Sequence, residues 1–124
     1  MRMASLIARI LLGLIFSVFG LNGFLHFIPQ GPMPGGPASQ YIAALTESHY
    51  VIFVFLCELF GGILLLINRY VPLALTVLAP VIVNIVLFHA FMAPSGLPLA
   101  IVVVILWLLT AHQHRGLFAG LLAQ

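Results

Sequence analysis

Five polar side chains stand inside otherwise apolar stretches of this sequence: Asn22, His26, Glu58, Asn84 and His89. An Asn amide donates and accepts hydrogen bonds, an imidazole does both and titrates near neutral pH, and a carboxylic acid donates only when protonated. Asn22 and His26 are four residues apart and so share a helix face. Asn84 and His89 are five apart, about 140° around an ideal helix, so both cannot point the same way. Donors beside a proton carrier suit an apolar ligand with carbonyl groups, such as a quinone. Asn and His would donate to it, and a protonated Glu58 beside His26 or His89 would relay protons. Two other chemistries are open. His26 and His89 suit the axial positions of a b-type haem. Glu58 with two histidines offers metal ligands, with Glu58 several ångström too deep to meet both.

Each of these residues also has a structural use. An acid at mid-membrane costs roughly 2.5–3.5 kcal/mol on insertion scales, and such residues default to function. A protonated Glu58 holding the helices together is the alternative. Asn22 and Asn84 suit interhelical hydrogen bonds of the kind that hold membrane bundles. His26 and His89 can snorkel or bond locally, and His49, His112 and His114 fall at ends where water solvates them. Cys57 is one small hydrophobe, alone in the chain, which excludes a disulfide or a C-x-x-C motif. Trp107 and the ten Phe read as core or lipid-facing filler.

The elements that must position these groups are spans. Of 124 residues, 64% are hydrophobic and 5% charged, and the mean hydropathy is +1.28. A soluble domain carries about a quarter charged residues. Six charges cannot cover a water-soluble globule, so the chain is read as a single transmembrane domain over 1–124 in a lipid bilayer. A net charge of +2, with no Lys and scattered Arg, excludes a nucleic-acid binder.

Apolar runs predict an all-α, integral membrane four-helix bundle, with spans at about 9–28, 50–67, 71–91 and 96–113. The first follows Arg2 and Arg9 as a signal peptide might. It is too long for a signal core and lacks an A-x-A-like cleavage site, so it is read as a retained helix. Residues 29–37 hold four Pro and three Gly and cannot be helix. A short interfacial helix then follows over 40–47, with Ser39 as its cap. Asn68 to Pro72 reads as a tight turn. The fourth helix is expected to extend through His112 and His114.

Arg2 and Arg9 precede span one, Arg69 separates spans two and three, and Arg115 follows span four. The other connections hold none, which places both termini in the cytoplasm. With that direction, His26 and His89 lie near the outer surface. Asn22 is about 6 Å below His26, Asn84 about 7 Å below His89, and Glu58 about 12 Å down. All five therefore occupy one half of the membrane. Gly13, Ser17 and Gly20 form a small-residue stripe opposite Asn22 and His26. With Gly61 and Gly62, they suit close helix approach within the chain or in a homo-oligomer.

Several separated motifs resemble the DoxX family of small bacterial four-helix membrane proteins. They are Phe19-Gly20-Leu21-Asn22-Gly23-Phe24 with His26-Phe27, Glu58-Leu59-Phe60-Gly61-Gly62 with Asn68-Arg69, and Ala79-Pro80-Val81-Ile82-Val83-Asn84 with Phe88-His89-Ala90. The resemblance runs from Arg9 to about Trp107. It implies a protein of the bacterial cytoplasmic membrane, associated in some relatives with membrane oxidoreductase complexes. The family name comes from a small subunit linked to quinone-dependent sulfur oxidation. The resemblance carries over the same five positions, without catalytic assignments.

Two functions compete. One is a quinone or apolar-ligand pocket in the outer half of the bundle. This chain has no dithiol or flavin motif, so a redox partner protein would supply the electrons. The other is a non-enzymatic anchor or assembly subunit whose polar residues are structural.

Overall fold

The computed structural model describes residues 2–26 and 35–122, and every regular element among them is helical. Helix α1 is Arg2–Leu25, α2 Pro37–Glu47, α3 Tyr50–Ile67, α4 Val71–Phe91, α5 Leu97–His112 and α6 Arg115–Ala119. Tight 3-10 turns occupy Pro94–Gly96 and Gly120–Leu122. The second and third spans begin and end where the apolar runs predict. Asn68 and Tyr70, both with positive φ, turn the chain between them, and Pro72 sits in the first turn of α4, where its missing N–H is harmless.

The differences fall at helix ends. α1 begins at Arg2 instead of residue 9, because Ser5 and Ala8 are buried and Ser5 Oγ donates to the Leu109 carbonyl of α5 at 2.7 Å. It ends at Leu25; residues 27–34, with Phe27 and most of the Pro/Gly segment, lie outside the described residues. α2 begins at Pro37, whose fixed φ suits a first helical position, so Ser39 lies inside the helix and Gly36 is the cap. α5 stops at His112 and leaves His114 outside. The N–H groups of Gln113 and His114 bond back to Thr110 and Ala111 in a tightened turn, and Arg115 Nη1 donates to the His112 carbonyl.

Four helices close a ring: α1 packs on α3 and α5, and α4 on α3 and α5. Short connections make the α3–α4 and α4–α5 neighbours antiparallel. The ring puts Arg2, Arg69 and Arg115 at one end of the bundle, hereafter the arginine end. α2 lies against α3.

Small residues set the α1–α3 distance. A Cβ at Gly20 would stand 2.8 Å from the Leu59 backbone N, and one at Gly62 2.6 Å from that of Ser17. The stripe is therefore used within the chain. Gly61 faces the other neighbour, where a Cβ would meet Leu78 Cγ of α4 at 2.6 Å. Leu12, Phe16, Leu65, Leu75 and Leu78 are wholly buried at the centre. Two further side-chain ties bind neighbouring backbones. Trp107 Nε1 donates to Leu75 O at 3.0 Å, and the Arg9 guanidinium donates to Leu65 O.

Around this core the bundle presents large apolar side chains outward, among them Leu14, Phe53, Val83 and Ile105. In water that surface would be a severe aggregation liability; in a bilayer it is the solvated face. α1, α3, α4 and the Pro94–His112 segment are each long and apolar enough to cross a membrane. The protein is an all-α, multi-pass four-helix membrane bundle.

Candidate functional site

Beyond the central leucines, toward the end opposite the arginines, the core gives way to a cavity of about 340 Å³. All four spanning helices line it. α1 contributes Asn22 and, just past its end, His26; α3 contributes Glu58; α4 contributes His89. Phe19, Phe55, Ile85 and Leu99 supply apolar walls. Four of the five residues singled out in the sequence therefore share one space.

Glu58 projects from the middle of α3 and is 8% exposed. Its Oε2 is buried with no hydrogen-bond partner among the described residues. Buried polar atoms are nearly always paired, so an orphaned carboxyl oxygen on a cavity wall is an anomaly with a chemical direction. Asn22, also 8% exposed, lies on the same wall system. His26 leaves α1 with φ 53°, its backbone N–H bonded to Asn22 O at 2.8 Å. That left-handed turn brings the exposed imidazole to the cavity.

His89 is held more tightly. Its Nδ1 lies 3.1 Å from the Ala93 carbonyl oxygen. A carbonyl only accepts, so Nδ1 carries the hydrogen and Nε2 is the acceptor of the neutral ring. Phe88 meets the ring edge-on at 5.1 Å. Gly96 passes so close that a Cβ there would stand 2.3 Å from ring atoms. Gly23 does the same for the opposite wall, where a Cβ would fall 2.3 Å from the Phe55 ring.

Asn84 is placed elsewhere. It lies in a separate groove of about 260 Å³ between α3 and α4, with Tyr41, Cys57 and Pro80. There its amide pairs with the Tyr41 hydroxyl. The 140° between Asn84 and His89 is the cause: with His89 in the cavity, Asn84 must face outward.

Tyr41, Gly96 and Trp107 hold this arrangement in place, although none is among the residues the sequence singles out and Trp107 reads there as filler. For Gly96, a glycine at a helix junction was the available signal. Pro80 has no N–H for the Thr76 carbonyl, and one residue earlier the Leu75 carbonyl accepts from the Trp107 N–H of α5.

The site joins donors, one acceptor imidazole and one carboxyl group in an apolar surround. Among the described residues, no three His, Cys, Asp or Glu side chains group as a metal site would require, so Glu58 and the two histidines share a cavity without forming a ligand set. No family model, curated protein or solved structure matches the chain.

Proposed function

We propose that the cavity around Glu58 binds a small, mostly apolar molecule bearing hydrogen-bond acceptors, a quinone or its close chemical relative. On this reading the protein is a subunit of, or partner to, a membrane oxidoreductase system. The observation that carries the proposal is Glu58 Oε2, buried without a partner in a cavity whose other lining is chiefly aromatic and aliphatic. Ligand sites have this composition, apolar walls with a few convergent polar groups, and volumes from about 300 Å³. The space suits a single ring better than a macrocycle, which weighs against a haem between His26 and His89.

The residues divide the work. A neutral Glu58 donates a hydrogen bond to a ligand oxygen, and Asn22 adds a second polar contact. His89 Nε2, freed by the Nδ1 bond to Ala93, accepts a proton or hydrogen bond. His26 stands at the exposed side, where protons exchange with water. The aromatic walls exclude water from the ring. A quinone, when bound, supplies reversible two-electron, two-proton chemistry, with electrons reaching it from a partner protein. The motif resemblance to DoxX proteins supports the same direction. So does the arginine distribution for placement: we assign the arginine end to the cytoplasm of a bacterial inner membrane. A carboxy-terminal reporter active only outside the cytoplasm would overturn that orientation.

One observation favours a second reading, a non-enzymatic anchor or assembly subunit. Asn84 is spent on a structural bond to Tyr41, so polar groups in this bundle do serve packing. The test separates the two. Protein purified in mild detergent is extracted for mass spectrometry of bound quinones and titrated with a short-chain benzoquinone. Binding that Glu58→Leu abolishes and Asn84→Leu leaves intact supports the pocket. Binding absent from the wild type, or equal in both variants, leaves the anchor.

A further inference from the structure

A second cavity, about 630 Å³, lies at the arginine end, far from Glu58. Arg2 and Arg9 of α1 line it with Asn68 at the α3–α4 turn and Gln113 and His114 at the α5–α6 turn. We propose that it binds a phosphate-bearing anion, met there as the headgroup of an anionic phospholipid.

Four observations converge. First, no acid balances these arginines. The chain has two acidic residues: Glu47 ends α2, and Glu58 lies seven residues before Leu65, about 10 Å along α3. Second, Arg9 is half-buried beneath the end of the bundle, and one N–H is anchored on Leu65 O. A guanidinium has five N–H donors in a fixed fork that matches phosphate oxygens. Third, two of the α3 end carbonyls that would repel an anion are already bonded. Leu65 O accepts from Arg9, and Leu64 O accepts from the Arg69 N–H at 3.1 Å. Fourth, Met3 and Leu6 complete the wall and are 66% and 43% exposed on the apolar outer surface. A polar cavity that opens along an apolar helix face fits a headgroup with an acyl chain better than a free ion. Basic pockets between spanning helices take anionic headgroups in this way.

The test follows thermal unfolding in neutral detergent as phosphatidylglycerol, phosphatidylcholine or sodium phosphate is added. Phosphatidylglycerol should raise the Tm by several degrees, and phosphatidylcholine should not. Arg2→Gln should lose most of that shift, whereas Arg115→Gln, which removes the same charge at the same end outside the cavity, should keep it. Arg9→Gln also breaks the Leu65 tie, so it is read by the size of the lipid-induced shift and not by its starting Tm. Equal losses in Arg2→Gln and Arg115→Gln would show a general basic surface and overturn the site. A shift with sodium phosphate but none with phosphatidylglycerol would overturn the lipid source, and no shift with either overturns the proposal.

Discussion

The Tyr41 hydroxyl and the Asn84 amide are paired in both directions. The hydroxyl donates to Asn84 Oδ1 at 3.0 Å and accepts from Asn84 Nδ2 at 2.8 Å. Asn84 lies seven residues before the end of α4, about 10 Å down the helix. Tyr41 therefore reaches well along the α3–α4 groove, and its ring also rests on Phe88 at 5.5 Å. This pair pins α2 to the side of the bundle and holds Asn84 in the α3–α4 groove.

Breaking that pair should free α2 without disturbing the site. Tyr41→Phe and Asn84→Leu should each destabilise modestly. Membrane side-chain hydrogen bonds average about 0.6 kcal/mol and reach about 1.7 kcal/mol in double-mutant cycles. The double variant should be less destabilised than the sum of the two singles. Hydrogen exchange over 37–47 should rise in both singles; unchanged exchange there would show that other contacts hold α2.

How much of this was legible beforehand varies with the physics involved. The bounds of α3 and α4 follow from apolar runs closed by Asn68 and Pro72, which are strong local signals. The polar cluster follows from depth alone, since Asn22, Glu58 and His89 had to fall in one half of any four-span bundle. Direction around the helix was half legible: the 140° rule showed that Asn84 and His89 must part but not which one faces inward. Packing decides that, through Gly96 over His89 and Tyr41 over Asn84. The cavity at the arginine end was invisible, because it needs Arg9, Asn68 and His114 from three separate parts of the chain.

The α1–α3 crossing predicts a graded response at its glycines. Gly20→Ala puts a methyl 2.8 Å from the Leu59 backbone N, where nothing flexible can yield. Overpacking of this kind typically costs about 1–3 kcal/mol, and Gly20→Leu should cost more. Gly116 of α6 has open space where a Cβ would go, so Gly116→Ala should leave the melting temperature in detergent almost unchanged. Equal stability for Gly20→Ala and Gly116→Ala would refute the close crossing.

Gly96 offers a way to perturb His89 without replacing it. A Cβ there must displace the imidazole and with it the Nδ1 bond to Ala93. Gly96→Ala should therefore weaken benzoquinone binding about as much as His89→Ala while the helices survive by circular dichroism. If the two variants differ by more than about tenfold, roughly 1.4 kcal/mol, the orientation of His89 is not what Gly96 supplies.

Glu58 decides between a donor and a spacer. Glu58→Gln keeps the shape and a hydrogen-bond donor but cannot ionise, whereas Glu58→Leu removes both properties. If the carboxylic acid serves by donating to the ligand, Gln should hold binding to within a few-fold and Leu should lose tenfold or more. The two should also separate over pH. In the wild type, binding should weaken as the pH rises and Glu58 loses the proton it donates. In Glu58→Gln, binding should be flat over the same range, because that donor carries no titratable proton. The stability of Glu58→Leu adds the last constraint. An orphaned Oε2 contributes no hydrogen bond to the fold, so its removal should leave the melting temperature equal or higher, because burying an unpaired polar group is unfavourable. A large fall in melting temperature with ligand binding intact would mean that Glu58 holds the bundle together, and the pocket reading would fail.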